Sequence, residues 1–287
     1  MSRIVYVNGR YVPYADATVH VEDRGFQFAD GVYEVCEARD GRIIDEQRHL
    51  ARLARSLREL DMYAPMNDAC LRVVIGEVLR RNRVRNGLVY LQVTRGVARR
   101  DFLFPDPVVP PTLVVTAKSV NPDLGQGVAE RGITVITVPE SRWDRVDIKT
   151  TGLLPNVLAK MQAKSTGARE AWFVDRDGFI TEGGSSNAWI VSQDGVLITR
   201  PAETGILRGV TRTTLFDLAR EEGVGIEERG FTVSEAKAAR EAFITSATTI
   251  VTPVIQIDST LIGGGKPGPL ATHLREKFHS VAASRAF

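Results

Sequence analysis

The chain has 287 residues, 43% apolar and 25% charged, which is material for one large core or two modest ones. A net charge of +2 gives no electrostatic case for nucleic acid or an anionic membrane as a partner. With no secretory leader pattern and no apolar run of membrane-spanning length, a cytoplasmic protein without a membrane partner is expected, and Cys36 and Cys70 read as free thiols.

In chain order, residues 4–7, the pair Asn8-Gly9 and residues 11–12 predict a β-hairpin. A strand over 31–38 turns at Asp40-Gly41 onto a partner at 42–44. Leu50, Leu53, Leu57 and Leu60 fall on one side of a helix over 46–61, and a second helix covers 67–82. Strands at 88–94 and 113–116 flank a Pro-rich loop that carries Arg100 and Phe102. Turn formers and low apolar content mark 120–127 as a linker, dividing the chain into domains 1–119 and 128–287. Beyond it come a strand at 133–138, a helix over 156–167 and strands at 171–175, 187–191 and 196–199. A helix over 211–222, a short one at 234–240, strands at 242–245 and 251–257 and a closing helix from 268 complete the order. This order predicts an α+β fold of two domains, with the ligand in the cleft between them.

Two stretches and one lysine carry the chemistry. Glu182-Gly183-Gly184-Ser185-Ser186-Asn187 sets a carboxylate on a tight turn of small residues. Leu207-Arg208-Gly209-Val210-Thr211-Arg212 sets a Gly and a hydroxyl ahead of a helical face of Leu215, Leu218 and Ala219, where free N–H groups and the helix dipole hold a phosphate. Of seven lysines, Lys149 stands apart, in the extended run Val146-Asp147-Ile148-Lys149. Amine, carboxylate and anion cradle are the parts that pyridoxal phosphate chemistry needs. By spacing alone, Lys149 also reads as a strand-end surface lysine, Glu182 as an exposed turn residue and Thr211 as a helix cap. The four histidines lack metal-ligand spacing, so no metal is expected.

The spaced set Glu182, Gly184, Asn187, Leu197, Thr199, Leu207, Gly209, Val210 and Arg212 resembles the fingerprint of the class IV aminotransferases, the fold type IV pyridoxal phosphate enzymes. Trp189 stands where that family usually has Phe or Tyr. The resemblance runs from Tyr6 to about His279 and implies the two-domain fold with pyridoxal 5'-phosphate in the interdomain cleft. It implies that Lys149 forms the Schiff base and carries the proton, and that Glu182 keeps the pyridine nitrogen protonated. Leu207 is implied on the ring face. Arg52, in His49-Leu50-Ala51-Arg52-Leu53, is implied at the phosphate with Val210, Thr211, Ser246, Ala247 and Thr248. Ala247 stands where a threonine is expected.

Residues 24–35 and the run from Asp147 resemble the D-amino-acid aminotransferases, and at 24–35 the branched-chain enzymes carry a different segment. That closer resemblance implies Tyr33 and Val35 in substrate binding, with Arg100 gripping the substrate α-carboxylate across a homodimer interface. Phe102 replaces the histidine expected beside Arg100. The implied activity is ping-pong transfer of the amino group of D-amino acids, such as D-alanine and D-glutamate, to 2-oxo acids. An (R)-amine or branched-chain aminotransferase and an aminodeoxychorismate lyase are the alternatives. Intact Lys149, Glu182 and Thr211 argue against a binding module without catalysis.

Overall fold

The computed structural model describes residues 3–203 and 205–286 and divides the chain into two compact α+β units. The first runs to Pro122 and takes in Ile148–Gly152 and the chain from Ala283; the second holds Asp123–Asp147 and Leu153–Ala282.

The first unit opens with the hairpin β1 (Ile4–Val7) and β2 (Arg10–Pro13). Asn8 and Gly9 both take positive φ, 43° and 89°, as a two-residue turn of this hand requires. There follow α1 (Arg24–Phe28), β3 (Gly31–Arg39), β4 (Arg42–Ile44), α2 (Glu46–Glu59), α3 (Asp68–Arg81), β5 (Gly87–Thr94) and β6 (Thr112–Ser119). With a strand from the far end of the chain, named below, they form a seven-stranded antiparallel sheet. Along β3, Val32, Glu34, Cys36 and Ala38 are buried while Tyr33, Val35, Glu37 and Arg39 are half-buried. That two-residue alternation sends the first set into a core shared with Leu50, Leu53 and Leu57 of α2 and Val74, Ile75, Val78 and Leu79 of α3.

The second unit contains α4 (Pro122–Arg131, whose first residue belongs to the first unit), β7 (Ile133–Pro139), α5 (Leu154–Ser165), β8 (Glu170–Val174), β9 (Ile180–Gly183) and β10 (Asn187–Val191). It continues through β11 (Leu197–Thr199), α6 (Val210–Glu221), β12 (Ile226–Glu228), α7 (Val233–Lys237), β13 (Glu241–Ser246), β14 (Ile250–Ile257), β15 (Thr260–Leu261) and α8 (Pro269–Val281). The strand after it, β16 (Ser284–Ala286), pairs with β4 of the first unit. The nine-stranded mixed sheet runs β12-β11-β10-β13-β14-β7-β8-β9, with β15 beside β14. Every residue of β10 is buried, as a strand covered on both faces must be.

Three sequence expectations change here. Residues 122–131, expected largely as linker, are helical, because Leu124, Val128 and Ala129 give the turn-rich segment an apolar side and Ala129 is buried. Residues 148–152 and the chain from 283 belong with the first unit, not the second. Lys149, expected on an extended run, follows turns at 144–147 and is held by a single bridge between Thr150 and Val32. Among the described residues no helix is long and apolar enough to cross a membrane.

Candidate active site

In the first unit the open face of the sheet collects Tyr33, Val35 and Tyr90, the last two directly opposite one another in register. Residues 149–151 lie along the start of β3: Tyr33 N–H donates to the Lys149 carbonyl at 3.0 Å and Thr151 N–H to the Gly31 carbonyl at 3.0 Å. The Lys149 N–H donates to Ser56 Oγ at 3.4 Å. This places Lys149 Nζ over the Tyr33 ring, 4.2 Å from its centre, and Tyr33 stacks on Tyr90 at 5.6 Å. Tyr90 in turn donates from its hydroxyl to Gln92 Oε1 at 2.6 Å. Burial, with Tyr33 beside it, pushes the Tyr90 phenol up to about 12, so it stays protonated. Lys149 is the one lysine with an aromatic ring under its amine among the described residues.

The reverse face of β3 carries a buried charge cluster. Arg52 reaches from α2 and donates from Nε and Nη2 to the two oxygens of Glu34, each at 2.7 Å. His49 Nδ1 lies 2.7 Å from the second oxygen. Burial alone pushes a carboxyl up, but the Arg52 guanidinium, aided by His49, holds Glu34 down at about 2. The Cys36 thiol is pushed well up by burial and then by the Glu34 charge, so it is not a nucleophile.

Arg100 and Phe102 lie on the exposed loop after β5. The Arg100 guanidinium sits 5.1 Å from the Phe28 ring centre and 5.8 Å from that of Phe102, and the two rings are 5.7 Å apart. The loop exposes Phe102, Leu103 and Phe104 together, Phe102 at 81%.

In the second unit Glu182 is a strand residue of β9, buried at 5% exposure, where the sequence placed it on an exposed turn. Arg142 Nη1 donates to Glu182 Oε1 at 2.5 Å, Asn187 Nδ2 to Oε2 at 3.0 Å, and the Leu207 N–H to both oxygens at 3.2 and 3.1 Å. Asn187 Nδ2 also donates to the Leu207 carbonyl at 2.9 Å, so one amide ties the carboxylate strand to the Leu207 turn. Gly209 follows from that contact, since a Cβ there would lie 2.0 Å from Asn187 Oδ1. Beneath the turn, Glu170 accepts from Ser185 Oγ at 3.0 Å and Ser186 Oγ at 3.1 Å and pairs with Lys160 at 3.1 Å.

Helix α6 starts at Gly209 with no side chain capping it, and Val210 and Thr211 form its buried first turn. At the end of β13, Ser246 Oγ lies 3.1 Å from Thr248 Oγ1 and 2.9 Å from Thr249 Oγ1, while Ala247 contributes no hydroxyl. The next residue, Ile250, has φ +60°, a strained setting for a β-branched side chain. Arg275 of α8 donates from Nη1 to the carbonyls on either side of it, Thr249 and Val251, at 2.6 Å each.

Several other fingerprint positions are structural. Trp189 donates from Nε1 to Thr245 Oγ1 at 3.0 Å and stacks on Phe243, so the larger ring is fully accommodated. Thr199 donates to the Ala188 carbonyl at 3.0 Å. Arg212 is buried, donating to the Arg200 carbonyl at 2.9 Å and Glu228 at 2.8 Å.

Glu34, Tyr90, Arg142, Glu170 and Thr249 escaped the sequence reading. One signal was present: in the alternation of β3, Glu34 falls on the apolar face, where a lone charge has to be paired.

The sequence matches the family model for amino-transferase class IV over residues 31–257. It is 39% identical to the D-alanine aminotransferase of Staphylococcus haemolyticus over 282 residues, covering 98% of this chain and 99% of that one. The D-alanine aminotransferase of Bacillus licheniformis is 39% identical over 271 residues, 94% of each chain. Among solved structures, a branched-chain amino acid aminotransferase with pyridoxamine 5'-phosphate superposes with a TM-score of 0.90 at 29% identity, covering 98% of this chain and 94% of that one. The branched-chain aminotransferase of the archaeon Thermoproteus uzoniensis, solved with norvaline, gives a TM-score of 0.85 at 26% identity, covering 97% of this chain and 94% of that one. Fingerprint, architecture and these likenesses agree: the chain belongs to the class IV aminotransferases, the pyridoxal phosphate-dependent transaminases of fold type IV.

Proposed function

We propose that this transaminase moves the amino group of D-amino acids, D-alanine and D-glutamate among them, to 2-oxo acids, working as a homodimer in the cytoplasm. The observation that carries the substrate reading is the likeness to D-alanine aminotransferases along 98% of the chain. The exposed, unbonded Cys70 suits a reducing compartment. The dimer reading is supported by apolar surface on each unit: Phe102, Leu103 and Phe104 on one, and Leu154, Val157, Leu158 and Met161 of α5 on the other.

The residues present fit pyridoxal phosphate. The uncapped start of α6 and the hydroxyls of Ser246 and Thr248 are donors for a phosphate, and Arg52 adds a fixed charge. Glu182, held by Arg142, Asn187 and the Leu207 N–H, is an oriented carboxylate for a protonated ring nitrogen, and Leu207 flanks it. The bound cofactor supplies an electron sink that acidifies the substrate Cα. Lys149 Nζ would take the proton from the substrate Cα and carry it for return, while Glu182 would keep the ring-nitrogen proton in place. Tyr33 and Val35 contact the substrate from the open strand face, and Arg100 pairs with its α-carboxylate. The 2-oxo acid formed from the donor leaves before the acceptor 2-oxo acid enters, with the amino group retained between the two half-reactions, so initial-rate plots are parallel.

A panel of D- and L-amino acids with a 2-oxo acid acceptor tests this reading. D-alanine and D-glutamate are expected to react; best turnover of L-branched-chain amino acids with inert D-alanine would refute D-specificity. A second reading is side activity on (R)-primary amines, favoured by the ring of Phe102 where a polar side chain was expected. Arg100→Ala is then expected to raise KM for D-amino acids while leaving amine turnover unchanged.

A further inference from the structure

We infer that Glu34 is a positioning residue for the cofactor phosphate, locking Arg52 in one orientation so that the guanidinium corner away from Glu34 is presented to the anion. The inference rests on the reading above that Arg52 binds the phosphate. Its geometry comes from β3 and α2 alone. Glu34 accepts from Nε and Nη2 of Arg52 at 2.7 Å each, and the planar fork then has no rotation left. Nη1 occupies the opposite corner of the same plane. His49 sits one helical turn before Arg52 and holds the second carboxylate oxygen at 2.7 Å, so the carboxylate cannot swing either.

Stability does not explain this arrangement. The neighbours of Glu34 on that face, Val32, Cys36 and Ala38, are apolar core residues, and an apolar side chain at 34 would bury without desolvating a charge. Replacing a buried ion pair by well-packed apolar residues is often neutral or stabilising, so a retained pair is better explained by what it orients. Consecutive residues of β3 face opposite ways, and the strand therefore sets two groups at once. Tyr33 lies under the amine of Lys149, and Glu34 grips Arg52. Burial and Glu34 leave the Arg52 side chain 10% exposed, and Glu34, held at about 2, stays ionised throughout the working range.

The test separates the phosphate from the rest of the cofactor. Full-length protein stripped of cofactor is titrated with pyridoxal phosphate and, separately, with pyridoxal, for the wild type, Glu34→Gln, Arg52→Gln and the double variant. Both single variants are expected to weaken pyridoxal phosphate by about tenfold to a hundredfold, the range for loss of a group that orients a binding residue. Pyridoxal affinity is expected to stay within about twofold, and the double variant to be no weaker than the worse single one. Glu34→Asp, which keeps the charge on a shorter reach, is expected to recover part of the phosphate preference.

Equal losses for pyridoxal phosphate and pyridoxal in Glu34→Gln would mean a merely structural role and overturn the inference. So would wild-type affinity for both. If Arg52→Gln keeps the full phosphate preference, the role of Arg52 falls and the inference falls with it. If Arg52→Gln loses that preference and Glu34→Gln keeps it, only the inference falls. Should Glu34→Gln fail to fold, Glu34→Asp decides: an unchanged ratio of the two affinities overturns the inference.

Discussion

Lys149 draws its distinction from what lies under it. Its amine rests on the Tyr33 ring, a contact worth about 0.5–1 kcal/mol, so Lys149→Ala is expected to leave thermal stability nearly unchanged while abolishing turnover. Borohydride treatment of the holoenzyme is expected to attach the cofactor to the peptide containing Lys149; attachment at Lys160 or another lysine would reassign the site. Glu34 gives a pH signature. Its folded-state value of about 2 lies below the ordinary 4.5, so the unfolded chain binds this proton more tightly. The stability it contributes is complete above pH 4.5 and is lost as pH falls from there towards 2. Denaturant midpoints across that window are expected to drop more steeply for the wild type than for Glu34→Gln, the difference approaching roughly 3 kcal/mol. Parallel profiles would contradict the assignment. Of the candidate residues, Glu182 was expected from the spaced fingerprint, Lys149 from the resemblance of its own segment and Thr211 from its place at a helix start. Glu34 and Arg142 were not, because their meaning lies in partners fifteen or more residues away, at Arg52 and Glu182.

At the scale of elements, β3, β5, β10, α2, α3 and α6 were readable, because one- or two-sided burial imposes a period on their apolar residues. Strand β9 was not: Ile-Thr-Glu-Gly is buried on both faces yet half polar, since Thr181 and Glu182 are satisfied by Glu140 and Arg142 rather than by an apolar neighbour. Helix α4 was obscured by its own turn formers, Pro122, Gly125 and Gly127. The junction of β10, the Leu207 turn and α6 yields a prediction. A Cβ at Gly209 collides with Asn187 Oδ1, and Asn187 links Glu182 to the Leu207 carbonyl. Gly209→Ala is therefore expected to lower apo-protein stability by about 1–3 kcal/mol, the usual range for overpacking, and to weaken the cofactor as well. Chemical denaturation and cofactor titration read the two effects. Unchanged values in both would show that the turn yields freely.

For the molecule as a whole, the exposed stripe of Leu154, Val157, Leu158 and Met161 recurs at helical spacing on α5, more apolar surface than a solvated helix normally keeps. For the proposed homodimer, Leu158→Glu is expected to shift sedimentation from dimer to monomer. Its effect on the stability of the isolated chain should stay within about 0.5 kcal/mol, as for an exposed site. A variant that still sediments as a dimer would move the interface elsewhere. The two-unit division was legible only in outline. The sequence suggested one cut, near 120–127, and the return of Ile148–Gly152 to the first unit carries no composition signal of its own.

That return has a consequence for how the chain is made. Residues 149–151 complete the outer edge of β3 at its start, and β16 covers β4. A ribosome that has delivered the chain as far as Pro122 has therefore delivered a sheet with two stretches of its β4-side edge bare, one at the start of β3 and one along β4. One stretch waits for residue 151 to emerge, and the other waits for the whole of the second unit to be synthesised. A nascent chain halted at 122 presents those stretches to its neighbours on a polysome, where strand-to-strand association between copies competes with completion of the fold.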